Sequence, residues 1–244
     1  MCDCVRVVEG CSHFPIFGSL TLLTVFRTLT SENIGNTLFD ILVSFCISYL
    51  LGSIPTAYVV VKKTANLDIR TVGSGNVGGR NALEVTGKNS VGIFVIAIDA
   101  LKGALAVIFS YVCFPNNVLA VSAAMSGVVV GHCYPVWLNF KGGRGLATTA
   151  GVFLIIYWLW IVVWLMMYFA VNKIVKNVHR ASAIALIGTP IVVILLPREM
   201  VMNQAPHFFT FEEFLISSSS LMLICLSKHI QPLIDSVNSQ EKIV

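Results

Sequence analysis

The chain has 244 residues, 56% of them hydrophobic and only 11% charged, with a formal net charge of +4. Soluble domains carry about 25% charged residues, so a single water-soluble core is excluded, and the mean hydropathy of +0.84 points to a bilayer as solvent. Seven cysteines without a CxxC pair or metal-type spacing argue against a disulfide framework or a zinc site, and charges without a basic helix or aromatic platform argue against nucleic-acid binding.

In chain order, residues 1–36 mix apolar runs with His13, Pro15, Gly18 and Arg27, and the longest apolar piece, Ile16 to Phe26, is too short to span. This part reads as an N-terminal extension with the character of an interfacial helix, without the basic n-region and cleavage site of a secretory signal. Residues 37–230 read as one membrane domain and 231–244 as a tail. The first span runs from about Leu38 to Val61, with Pro55 expected to kink it. A hydrophilic, glycine-rich loop extends to Ser90. A second span follows from Val91 to Phe114, an uncharged turn at Pro115 to Asn117, and a third span from Val118 to Leu138.

The apolar stretch after Leu146 poses a topological problem. Lys62 to Lys88, Lys141 with Arg144, and Lys173 to Arg180 are three basic segments that should share the cytoplasmic side. A single crossing from Leu146 to Tyr168 would put the third on the wrong face. Reading Ala147 to Lys176 as two short or re-entrant helices turning near Trp158 restores the rule. Ala181 to Leu196 then crosses outward, Pro197 to Glu213 forms an outer loop and Phe214 to Leu226 returns. The expectation is an all-α polytopic protein of about seven transmembrane or re-entrant helices, N-terminus outside and C-terminus inside.

Two loops carry candidate chemistry. DIRTVGSGNVGGRNALEVTG, from Asp68, sets Gly73, Gly75, Gly78 and Gly79 among Ser74, Asn76, Arg80 and Asn81. Such a loop can turn backbone N–H groups toward an anion, although glycine and asparagine are also what any turn uses. NFKGGRGLATT, from Asn139, brings Lys141, Gly142, Gly143, Arg144 and Gly145 to the start of an apolar helix, where amides and cations can meet a phosphate. It lacks Walker A spacing. Together the loops suggest a site for two phosphate groups. Asp99 and Lys102, i,i+3 inside a span, are either functional or a structural ion pair. His132 is either a base or an interfacial helix-end residue. No cofactor or metal ligand set is visible.

Four segments, LGSIPTAY from Leu51, the loop from Asp68, IDALKG from Ile98 and GHCYPVWLNFKGGRGLAT from Gly131, occur in the order found in the bacterial acyl-phosphate-dependent glycerol-3-phosphate acyltransferases, which the chain resembles between about Leu38 and Leu196. The resemblance implies a plasma-membrane enzyme with its site facing the cytoplasm. It would move a fatty acyl group from acyl phosphate to the 1-hydroxyl of glycerol 3-phosphate, making lysophosphatidic acid. Its partners would be those substrates and membrane lipids, with no protein partner implied. Carried over by position, Ser74, Gly75, Asn76 and Asn81 belong to the first motif, Lys102 to the second span, and Lys141, Gly142, Gly143 and Gly145 to the glycine loop associated with substrate phosphate, with Arg144 where the family usually has Lys. Together with the reading of the residues this makes Ser74, Asn76, Lys102 and His132 the catalytic candidates, and Gly73, Gly75, Gly78, Arg80, Asn81, Lys141, Gly142, Gly143, Arg144 and Gly145 the substrate-binding ones. The proton acceptor would be His132 or a substrate phosphate oxygen. Two departures stand out: Glu84 replaces the family's arginine, with Arg80 as the candidate substitute cation, and LSKHI at Leu226 to Ile230 replaces HRxNI. They leave a non-catalytic, lipid-binding or transport relative as the alternative.

Overall fold

The computed structural model describes residues 34–241, with side chains from 35 to 235. The N-terminal extension lies outside the described residues up to Asn33, and everything below concerns the body that begins at Thr37. Among the described residues all regular structure is helical.

The first span is a broken helix. α1 (Ile34–Ser53) stops at Pro55, whose ring denies the next turn a backbone donor, and α2 (Thr56–Ala65) restarts at once. Proline therefore does more than kink this span. Asn66, in the left-handed conformation, closes α2 by donating its N–H to Lys62 O at 3.1 Å. The loop leads to the short α3 (Gly79–Thr86), capped by left-handed Gly87, and then to the 25-residue α4 (Asn89–Cys113). Asn117 begins α5 (Val118–Cys133) by accepting from Ala120 N. A 3-10 turn over Val136–Leu138 follows.

The apolar stretch after Leu146 breaks at Tyr157 into α6 (Leu146–Ile156) and α7 (Trp158–Val175). The rings of Phe153 and Trp160 stack at 4.9 Å, and residues from the start of α6 line the same cleft as Trp164 and Leu165. The chain therefore doubles back at Tyr157, next to the turn expected near Trp158. α6, at 11 residues about 16 Å long, reaches only halfway through a hydrocarbon core of about 30 Å. Asn177 caps α8 (Val178–Leu195) through His179 N and Arg180 N. The loop that follows holds a short α9 (Arg198–Met202). A Thr210–Glu213 capping box starts α10 (Phe211–Ser227), and α11 (Ile230–Glu241) ends the described chain.

Among the described residues five spans are long and apolar enough to cross a membrane: 35–65, 89–113, 118–138, 158–175 and 178–195. α6 is a shorter apolar helix of 11 residues. The protein is thus a multi-pass helical membrane protein. Large apolar side chains cover its outside, among them Phe39, Ile93, Met166, Phe169 and Ile174.

Helices meet through small residues, as they do where lipid supplies no hydrophobic push between them. A Cβ on Gly103 would lie 2.0 Å from Thr148 O, and one on Gly151 1.8 Å from Ala100 O, so α4 and α6 touch backbone to backbone. One cluster, including Met125, Phe153, Trp160, Phe214 and Leu221, packs the centre of the bundle. A second, including Val61, Ile69, Val77, Ala82 and Val95, anchors the first glycine loop from below.

Candidate active site

The loop from Asp68 is organised by Asn81, 1% exposed at the start of α3. Its Nδ2 donates to Ile69 O, Val72 O and Asn76 O at 3.0–3.2 Å, and its Oδ1 accepts from Ser74 N at 3.0 Å. With its amide fully engaged, Asn81, expected to bind substrate, shapes the loop that carries Ser74 and Asn76. Gly73 and Gly75 adopt φ of 60° and 68°, where a side chain would be strained, and a Cβ at Gly73 would also strike Asn81 Oδ1. The turn holds Ser74 exposed and Asn76 half-buried, with both side chains free to donate. At its start, the Arg70 guanidinium chelates Asp68, at 2.7 Å to Oδ2, and holds that carboxyl down at about 2.

The second loop leaves α5 through two left-handed non-glycine residues, Asn139 and Phe140, a conformation costly for a bulky side chain. Gly142 N donates to Cys133 O at 3.2 Å and Gly143 N to His132 O at 3.1 Å. These amides, expected to cradle phosphate, are instead tied to the frayed end of α5. The glycines are there because the loop lies flat on its neighbours. A Cβ at Gly143 would stand 2.2 Å from His132 Nε2 and 2.7 Å from Val77 O. Since Val77 belongs to the first loop, the two loops and His132 converge at Gly143. The amides left for an anion are those of Leu146, Ala147 and Thr148, ahead of the first intrahelical bond from Thr149 N to Gly145 O.

The cations divide into three groups. Lys141 is exposed. Arg144 is half-buried with no carboxylate bound to it; burial lowers its pKa, with the nearby Arg80 adding to the effect and Glu84 opposing it. Arg80, the candidate substitute for the lost arginine, is exposed and pairs with Glu84, itself exposed, at 2.9 Å, a contact worth only a few tenths of a kcal/mol. His229 lies within electrostatic reach of Arg144 and His179, which adds the third basic segment and the end of α10 to the same face. Burial, partly offset by the hydrogen bond to Cys225 O, pushes the His229 pKa down to about 4.

Lys102, expected to reach substrate, is 4% exposed. Its Nζ lies 2.8 Å from Asp99 Oδ1 and donates to Ile54 O at 2.8 Å and Gly52 O at 3.4 Å, so it serves the carbonyls freed by the break at Pro55. Asp99 Oδ1 faces His132 Nδ1 at 3.7 Å. Lys102 is thus part of the wall beneath the loops, and the ion pair expected from its i,i+3 spacing is present.

Beside Leu146 an apolar cleft of about 100 Å³ opens between α6 and α7, lined by Phe153, Trp160, Ile161, Trp164, Leu186 and Met222 among others. No sequence motif marked it, because apolar aromatics in a span carry no distinguishing pattern. Among the described residues no cluster of three metal-ligating side chains occurs.

The family model for glycerol-3-phosphate acyltransferase matches residues 42–237. The chain belongs to this family. Glycerol-3-phosphate acyltransferase of Bradyrhizobium diazoefficiens is 38% identical over 149 residues, 61% of this chain and 73% of that protein. Glycerol-3-phosphate acyltransferase 2 of Moorella thermoacetica is 40% identical over 162 residues, 64% and 79% of the two. The crystal structure of PlsY (YgiH), an integral membrane glycerol 3-phosphate acyltransferase in its glycerol 3-phosphate form, superposes with a TM-score of 0.67 at 25% identity, covering 84% of this chain and 93% of that one. Membership in the glycerol-3-phosphate acyltransferase family fits a face that sets a half-buried arginine and a helix N-terminus beside an apolar cleft.

Proposed function

We propose that this protein transfers a fatty acyl group from acyl phosphate to the 1-hydroxyl of glycerol 3-phosphate, releasing inorganic phosphate and lysophosphatidic acid. The observation that carries this reading is the junction of two unlike environments. Ser74, Asn76, the half-buried Arg144 and the N-terminus of α6 suit phosphate, and the cleft starting at Leu146 suits an acyl chain. A donor with both parts, and an acceptor bearing a second phosphate, match that junction.

In the reaction the acceptor hydroxyl oxygen bonds to the acyl carbonyl carbon, and the bond from that carbon to the phosphate oxygen breaks. Negative charge grows first on the carbonyl oxygen and then on the departing phosphate. Ser74 Oγ, Asn76 Nδ2 and the Arg144 guanidinium are the groups free to meet it, and the first two need no reorganisation because Asn81 fixes their loop. The hydroxyl proton passes to a phosphate oxygen of bound substrate. Gly73, Gly75 and Gly78 keep the first loop open, Gly142, Gly143 and Gly145 keep the second flat, and Lys141 attracts anions from outside. The shared face of all three basic segments supports a plasma-membrane enzyme working on the cytoplasmic side.

The Arg80–Glu84 pair favours a second reading, a relative that binds the same ligands without turnover. Purified protein in bilayers, given palmitoyl phosphate and labelled glycerol 3-phosphate, separates the two. Labelled lysophosphatidic acid is expected, falling at least about 100-fold in Ser74→Ala. Binding of glycerol 3-phosphate with no product from folded protein would establish the second reading.

A further inference from the structure

Beneath the glycine loops a partly open chamber of about 10 Å³ lies between the broken first span, α4 and the end of α5, with Thr56, Asp99, His132, Pro135 and Gly142 in its walls. Three polar atoms there lack an aligned partner or are nearly alone. Thr56 Oγ1 is buried and makes no hydrogen bond. Asp99 Oδ1 has Lys102 as its charge partner at 2.8 Å, but the aligned bonds of that ammonium go to Gly52 O and Ile54 O. His132 Nδ1 stands 3.7 Å from Asp99 Oδ1, too far for a direct hydrogen bond, and a molecule to one side of that line can reach both atoms.

We propose that this chamber binds one ordered water, closing a buried chain Lys102–Asp99–water–His132 that makes His132 a positioning residue for the glycine loop and not the base of the reaction. The volume admits a single water, and a buried water needs two to four polar partners, which Thr56, Asp99 and His132 supply. A metal cation does not suit the site, because Lys102 already balances Asp99. The water accepts from His132 Nδ1–H and donates to Asp99 Oδ1. That fixes the imidazole with Nε2 against Gly143, whose backbone covers it, while His132 O receives Gly143 N. The ring thus backs Gly143 at the point where that residue also meets Val77 O of the first loop. Thr56 joins the chain because the break at Pro55 turns the start of α2 inward.

The kinetic part of this inference rests on the acyl-transfer reading; the water itself does not. A crystal structure at a resolution that shows ordered solvent is expected to place a water within hydrogen-bond distance of all three atoms, and its loss in Thr56→Val should accompany about a fivefold fall in kcat that Thr56→Ser restores. His132→Asn, which keeps a donor on the Nδ1 side, should retain most of kcat and the wild-type pH profile. His132→Gln, which keeps one on the Nε2 side, should not. A chamber without a water in wild type overturns the proposal. So does His132→Asn losing as much as His132→Ala together with the ascending limb of the pH profile, which identifies a base. Wild-type protein that shows the water but no turnover would sink the acyl-transfer reading and leave the water site standing.

Discussion

Replacing Gly143 by Ala adds one methyl group at the point where the two loops meet. Its Cβ would lie 2.2 Å from His132 Nε2, about 1.2 Å inside an ordinary contact of 3.4 Å, and 2.7 Å from Val77 O. Neither neighbour yields easily. The His132 ring is 9% exposed and walled by Asp99, and Val77 O belongs to a backbone whose loop Asn81 holds through Ile69, Val72 and Asn76. The strain is about 1–3 kcal/mol of stability, and relieving it moves one loop by about 1 Å. Displacement on that scale costs on the order of 100-fold in rate when reacting groups must stay in line. Gly188→Ala is the matched comparison. Its Cβ also meets an atom at 2.2 Å, but that atom is the terminal methyl of Met167, which can swing aside, and alanine suits a helix better than glycine. Acyl transfer and thermal unfolding in detergent should show Gly143→Ala nearly inactive and less stable, with Gly188→Ala close to wild type on both. Equal and near-normal activity in the two variants would refute the claim that loop convergence at Gly143 sets the site.

Asn81→Asp removes the donors serving three carbonyls and turns a carboxylate toward their oxygens, so a loss of about 3 kcal/mol or more is expected, with faster proteolysis between Asp68 and Arg80. A stable variant with an intact loop would mean that the glycines alone hold the turn. His229 gives the expected pH response: its pKa of about 4 in the fold lies below the unfolded value of 6.5, so the fold favours the neutral ring. Its contribution, about 3 kcal/mol in all, is complete above pH 6.5 and is lost as pH falls toward 4. The melting temperature should drop through that window and drop less in His229→Gln; identical slopes would contradict the assignment.

Hydropathy marked the spans, and the placement of Lys173 to Arg180 forced the apolar run after Leu146 to fold back, which it does at Tyr157. Positive charge is read by the membrane as a whole, so that inference needed no tertiary contact. The outcome at Pro55 did need one. Whether proline kinks or breaks a helix depends on who takes the freed carbonyls, and the taker, Lys102, is about fifty residues away. The glycine loops were legible as loops, but not the use of their amides. Gly142 and Gly143 look alike in sequence whether their N–H groups face a phosphate or the last carbonyls of α5. Arg80 and Glu84, four apart on α3, were read as a cation near a substitution, and their pairing follows from the same spacing. The cleft along Phe153, Trp160 and Trp164 was hidden because the turn that creates it lies between them.

During synthesis the first span reaches the bilayer before α4 exists, and its break leaves Gly52 O and Ile54 O without the lysine that later binds them. α4 arrives with Asp99 and Lys102 one turn apart, so each charge brings its counter-ion and the helix enters the membrane close to neutral. A lone aspartate or lysine at the centre of a span costs about 2.5–3.5 kcal/mol on insertion. Only when α4 docks does the ammonium finish the earlier helix. Removing either charge alone would therefore burden the translocation machinery as well as the finished protein, so a drop in membrane yield would precede any measurable change in chemistry.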